Sequence, residues 1–110
     1  MHLLSKSQAV KLPAGTVIIG KWNRNRYQVV KKLGSGAIGV VYLVQSKRGL
    51  AALKIGFDRV GIVSEMNVLK QFTPAQGKPL GPYFIEMDDW VANGFRTCFY
   101  VMEYIRGKPL

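Results

Sequence analysis

Three glycines and one lysine set the chemistry open to this chain. Gly34, Gly36 and Gly39 stand in the run Leu33-Gly34-Ser35-Gly36-Ala37-Ile38-Gly39-Val40-Val41-Tyr42, and Lys54 follows within Ala51-Ala52-Leu53-Lys54-Ile55. Glycine has no Cβ, so a hairpin turn built from these residues can bring backbone N–H groups close to a polyphosphate and can tolerate positive φ. Lys54 is a cation in the middle of an apolar run, where a charge buried without a partner is costly. The segment that follows is read as a helix, and its one carboxylate is Glu65. Lys54 paired with Glu65 would be aimed at the phosphates held by the glycine turn. Taken singly, the glycines fit an ordinary hairpin and Glu65 fits a solvated helix face; taken together with Lys54, the phosphate site is favoured.

These groups need elements to hold them. Residues 1–15 read as a flexible leader ending in the breaker Pro13-Ala14-Gly15. Residues 16–19 are β-branched and short, Asn23-Arg24-Asn25 supplies turn chemistry, and residues 27–33 read as a strand running into the glycines. Residues 40–45 form the return strand, 46–49 a turn, and 50–57 a third strand carrying Lys54. Asp58 is placed to cap a helix over 59–72, with Ile62, Met66, Leu69 and Phe72 on one face, although Gly61 disfavours the first turn. Thr73-Pro74 stops the helix and residues 76–82 form a loop. Residues 83–91 and 95–105 then make a hairpin about Ala92-Asn93-Gly94. The predicted fold is α+β: an antiparallel twisted sheet of five strands, six with the short run 16–19, and one principal helix, all in one domain over 16–110.

Composition narrows the partners. Net charge is +10, from 16 Lys and Arg against 6 Asp and Glu, a field that attracts nucleotides, nucleic acid or acidic proteins alike. The densest basic cluster, Lys21-Trp22-Asn23-Arg24-Asn25-Arg26-Tyr27, reads as a solvated hairpin in preference to a nucleic-acid patch. Cys98 is the single cysteine, so no disulfide forms within one chain, and a buried core thiol in a reducing compartment is expected. No apolar run is long enough to span a membrane and the first residues lack the core of a signal peptide, so a cytoplasmic protein is expected. His2, the sole histidine, falls in the leader, which leaves no histidine-based triad or metal site.

With these motifs in place, the chain from about residue 27 to 110 resembles the amino-terminal lobe of a eukaryotic-like serine/threonine protein kinase. The resemblance rests on the glycine loop over 33–41, on Ala52 and Lys54, on Glu65-Met66-Asn67-Val68-Leu69-Lys70-Gln71-Phe72, and on the closing run Phe99-Tyr100-Val101-Met102-Glu103-Tyr104-Ile105. It implies a site for ATP in which Gly34, Ser35, Gly36, Ala37 and Gly39 cover the phosphates, and Lys54, held by Glu65, contacts them. Leu33, Val41 and Ala52 would enclose the adenine, Met102 would stand beside it as gatekeeper, and the carbonyl of Glu103 and the N–H of Ile105 would bond its edge. Two departures stand out: Ile38 occupies a loop-tip position often held by an aromatic, and the interval from Lys54 to Glu65 is short. The family's catalytic-loop aspartate and its metal-binding D-F-G aspartate have no counterpart here, so magnesium would be bound mainly outside this lobe and the chain alone would not transfer phosphate. The expected function is the ATP-binding lobe of such a kinase, with a carboxy-terminal lobe as its partner. The alternative is an orphan lobe that binds a protein, or a second copy of itself, through its hinge face.

Overall fold

In a computed structural model the chain is described over residues 2–3, 12–71, 84–92 and 95–104. The elements run β1 (His2–Leu3), β2 (Val17–Ile19), β3 (Arg26–Ser35), β4 (Gly39–Ser46), β5 (Gly49–Gly56), α1 (Arg59–Gln71), β6 (Phe84–Ala92) and β7 (Phe95–Glu103). They form one sheet ordered β1-β7-β5-β4-β3-β2, with β6 on the other side of β7. The six strands β2 to β7 pair antiparallel, as expected. β1, which the sequence reading did not include, pairs parallel with the start of β7 through His2 opposite Phe95 and Leu3 opposite Arg96. Two residues are too few to carry the period-two signal by which a strand is read.

Within the predicted leader, residues 12–15 are also bonded to the sheet: Leu12 N–H donates to the Tyr42 hydroxyl at 3.3 Å and Gly15 N–H to the Val29 carbonyl at 2.8 Å. Residues 1 and 4–11 lie outside the described residues, as do the predicted loop 76–82 and the Asn93-Gly94 turn. Gly15 takes a φ of 92°, which explains why a glycine closes the turn after Pro13. Among the described residues no helix is long and apolar enough to cross a membrane.

Successive side chains on a strand point to opposite faces, and here both faces are apolar. One face gathers Ile18, Tyr27, Val29, Val40, Tyr42, Val44, Leu53, Ile55, Phe99 and Val101 into a core. The other gathers Ala52, Cys98, Tyr100 and Met102 against Ile62 and Met66 of α1. The first core is enclosed because the sheet curls until its far ends meet. The turn after β2 reaches β6, where Lys21 N–H donates to the Asp89 carbonyl at 2.7 Å, and inside the curl Tyr27 meets Phe99 edge-on at 6.1 Å.

That junction engages the tryptophan, asparagines and tyrosine of the basic cluster. Asp88 is buried, and its carboxylate accepts the backbone N–H groups of Trp22 (3.0 Å), Asn23 (2.8 Å) and Asp89 (2.7 Å). Asp89 accepts from the Trp22 indole at 3.1 Å and from the Arg59 guanidinium at 2.8 Å. Glu86 accepts from the side-chain amides of Asn23 and Asn25, each at 2.8 Å, and from the Tyr27 hydroxyl. The polar residues at 22–27 therefore clamp one end of the sheet to the other. Gly20 allows the approach, since a Cβ there would lie 2.1 Å from Asp88 Oδ2.

Helix α1 starts where expected. Asp58 caps it, its carboxylate accepting Gly61 N–H at 2.7 Å. Only Phe57 and Asp58 separate β5 from α1, so the helix must pack directly on the strand it follows. Gly56 makes this possible: a Cβ there would come within 2.6 Å of the Ile62 side chain. Of the predicted helix face, Ile62 and Met66 are buried and Leu69 packs beside them, while Phe72 lies outside the described residues.

Candidate nucleotide site

The register of the sheet sets the site. Gly34 lies opposite Val41, Val41 opposite Lys54, Lys54 opposite Tyr100, and Tyr100 opposite Met87, a row that crosses five neighbouring strands. Directly paired residues share a face, so this row lies on the side that carries α1. The next row on that face holds Leu43, Ala52, Met102 and Phe84. Val41, Ala52 and Met102 thus fall together with Leu33 in the α1-side cluster.

Leu33 reaches that cluster through irregular pairing. Strict alternation from buried Val29 would turn residue 33 toward the enclosed core. The β3–β4 register instead shifts between Val29 and Lys31 and again between Lys32 and Gly34, which leaves Leu33 beside Val41. The same shifts bend β3 where it enters the glycine hairpin.

Within the hairpin the glycines differ. A Cβ added at Gly34 or Gly36 would meet nothing within 4 Å, so the protein's own packing does not demand glycine at either position. At Gly39 it would lie 2.1 Å from the Ile55 carbonyl oxygen, so this glycine serves the close approach of β4 to β5. None of the three takes a left-handed φ; among the described glycines only Gly15 and Gly49 do, so the tolerance for positive φ noted from the sequence goes unused here. Gly36 N–H donates to the Gly39 carbonyl at 3.0 Å, and the tip is tied back by Phe57 N–H donating to the Ile38 carbonyl at 2.8 Å. Ile38, at the loop tip, packs half-buried against the α1-side cluster. Ser35 and Ala37 are exposed.

Lys54 and Glu65 meet. Nζ lies 2.6 Å from Oε1, with side-chain exposures of 15% and 28%, so the pair is shielded yet still partly accessible. The short interval between them is spanned by the direct strand-to-helix step at Gly56. The same Glu65 oxygen also accepts the Tyr100 hydroxyl. Tyr100 is not among the candidate residues that the sequence names. The signal lay in its parity: Tyr100 and Met102 occupy the same face of one strand, and that face is the one bearing Lys54. Burial, then the neighbouring carboxylate, push the Tyr100 phenol pKa well above its ordinary range.

Met102 is buried, Glu103 is half-buried at the end of β7, and Ile105 lies outside the described residues. Cys98 is a free, buried thiol, its pKa pushed up to about 11 chiefly by burial and next by Asp89. The shallow depression lined by Trp22, Asn23, Arg59, Met87, Asp88 and Asp89 belongs to the sheet closure, its carboxylates already engaged.

A curled antiparallel sheet with one helix, a glycine hairpin at its edge and a strand lysine paired to a helix glutamate is the architecture of a protein-kinase amino-terminal lobe. A comparison with a known sequence agrees. The chain is 48% identical over 106 residues to the serine/threonine-protein kinase YabT of Bacillus subtilis (strain 168), a match that covers 94% of this chain and 31% of that kinase. It thus spans about a third of the length of this relative. Among solved structures, the Mycobacterium tuberculosis PknI kinase domain is 28% identical at a TM-score of 0.46, covering 86% of this chain and 36% of that one. A mutant of the same domain is 27% identical at a TM-score of 0.48, covering 87% and 37%. No family model matches the chain.

Proposed function

We propose that this chain is the ATP-binding lobe of a serine/threonine protein kinase, contributing the roof of the nucleotide cleft. The observation that carries the proposal is the Lys54–Glu65 pair set beneath a hairpin whose first two glycines, Gly34 and Gly36, face open space. A half-buried ion pair is a poor way to stabilise a fold, because desolvation offsets most of the attraction. Its retention between apolar neighbours supports a role toward a ligand.

The residues fit ATP. The open space at Gly34 and Gly36 leaves room for phosphates against the backbone of residues 34–37, where N–H groups can donate. Lys54, oriented by Glu65, supplies positive charge to those phosphates, and Leu33, Val41 and Ala52 supply an apolar enclosure for the base. Met102 borders the adenine pocket, and the backbone of Glu103 and Ile105 bonds the adenine edge. Gly39 shapes the hairpin and contacts phosphate least. ATP, when bound with magnesium, supplies the phosphoryl group transferred to a protein serine or threonine hydroxyl. The base and most metal ligands for that step would come from a carboxy-terminal lobe seated against the hinge. The lobe would span residues 16–110, and the segment before it is tied to the same sheet through β1, Leu12 and Gly15. A single buried thiol suits a protein that works in the reducing cytoplasm.

The test is calorimetric titration of ATP into the chain and into Lys54→Met. The variant should bind ATP at least about tenfold more weakly, the loss of one charge-assisted contact, while binding adenosine as before. Equal ATP affinity in the two proteins would contradict the proposal.

A further inference from the structure

We propose that Tyr100 is a positioning residue of this site: its hydroxyl, presented by β7 under α1, holds the Glu65 carboxylate in line with Lys54. The inference rests on the nucleotide-site reading above and deepens it. Lys54 and Tyr100 are directly paired neighbours on β5 and β7, and both donate to the same Glu65 oxygen. Two adjacent strands therefore grip one carboxylate, which is the only acid that α1 carries.

The hydroxyl is not explained by packing. Tyr100 is 4% exposed in the cluster beneath α1, its ring tilted against Phe84 at a centroid distance of 6.5 Å. A phenylalanine would fill that space with no polar atom to satisfy. With tyrosine there, an α1 that swung Glu65 toward solvent would strip a buried phenol of this acceptor, and unmet buried donors are disfavoured. Glu65 is thereby held inward before any nucleotide arrives, and Lys54 is presented in one arrangement. Such preorganisation strengthens binding by removing the ordering that the ligand would otherwise have to drive. Because its burial keeps the phenol protonated, the grip persists through neutral and moderately alkaline pH.

ATP and adenosine share base and ribose and differ in the phosphates, so the ratio of their affinities isolates the lysine end of the site. The experiment measures both affinities by calorimetry for the unaltered chain, Tyr100→Phe, Glu65→Ala and the double variant, with thermal melts alongside. Tyr100→Phe should weaken ATP about fivefold to tenfold and leave adenosine unchanged, in the range of one ordinary hydrogen bond. On the Glu65→Ala background the same change should alter ATP affinity by less than about twofold, since the acceptor is gone. A tyrosine that only fills the core would lower the melting temperature with the ATP-to-adenosine ratio intact, or weaken ATP equally in both backgrounds. Either result overturns the role of Tyr100 while leaving the nucleotide site standing. Failure of the unaltered chain to favour ATP over adenosine would overturn the nucleotide-site reading and this inference with it.

Discussion

Gly36 and Gly39 belong to one sequence pattern and answer to different demands. Gly39 is buried where β4 leaves the hairpin, and a methyl group there would be driven into the Ile55 carbonyl. Gly36 is exposed, with open space where its side chain would be. Gly39→Ala should therefore destabilise the fold by about 2 kcal/mol, a typical cost of overpacking that here falls on backbone atoms. Gly36→Ala should leave the urea midpoint nearly unchanged and weaken ATP, because the added methyl enters the space left for phosphate. Denaturation curves and ATP titrations on both variants check the contrast, and a Gly36→Ala variant as unstable as Gly39→Ala would refute it. The pattern in the sequence named the three glycines together; the separation of their roles depends on what lies across the sheet from each. Lys54 and Glu65 were legible for a simpler reason, because a cation in an apolar strand requires an anion and α1 offers one. Tyr100 was not, since a tyrosine in a buried strand reads as core until its neighbour across the register is known.

At the scale of elements, the strands and α1 were largely readable. Apolar runs bounded by turn residues mark β3 to β7, and Asp58 marks the start of the helix by its capping chemistry. Less readable was what the turn after β2 does. Its tryptophan, asparagines and basic residues resemble a solvated hairpin, yet Trp22 and Asn23 donate their backbone N–H groups to the buried carboxylate of Asp88, sixty-odd residues away in sequence. Local turn preferences carry no information about so distant an acceptor. Three acidic residues inside β6, two of them buried in the fold, were the available hint, because buried carboxylates require donors. Asp88→Ala removes three backbone hydrogen bonds to a charged acceptor at the point where the sheet closes. We expect it to cost about 3 kcal/mol, allowing for water to reach part of the exposed turn. Urea denaturation would read this as a clear fall in midpoint, and a loss below about 1 kcal/mol would show that the clamp is not what closes the sheet.

Over the whole molecule, two apolar faces of one sheet divide the work. The enclosed face, sealed by the Asp88 clamp, makes the sheet a rigid curl; the outer face carries α1 and lines up Gly34, Val41, Lys54 and Tyr100 across neighbouring strands. The irregular pairing in β3 joins these roles, since it bends the strand into the curl and turns Leu33 to the outer face. The sequence pattern named the residues of the outer face but not this bend, because a bulge leaves no mark of its own in the order of residue types. The central claim is that the outer face, at the glycine hairpin and Lys54, receives ATP. It is tested most directly by titrating ATP into the isotope-labelled chain and following backbone amide resonances. The account predicts that the largest shifts fall on Gly34, Ser35, Gly36 and Ala37, with Lys54 and Glu103 also moving and the Trp22 turn unaffected. Saturable shifts centred on Trp22, Asn23 and Arg24, with the hairpin silent, would contradict it.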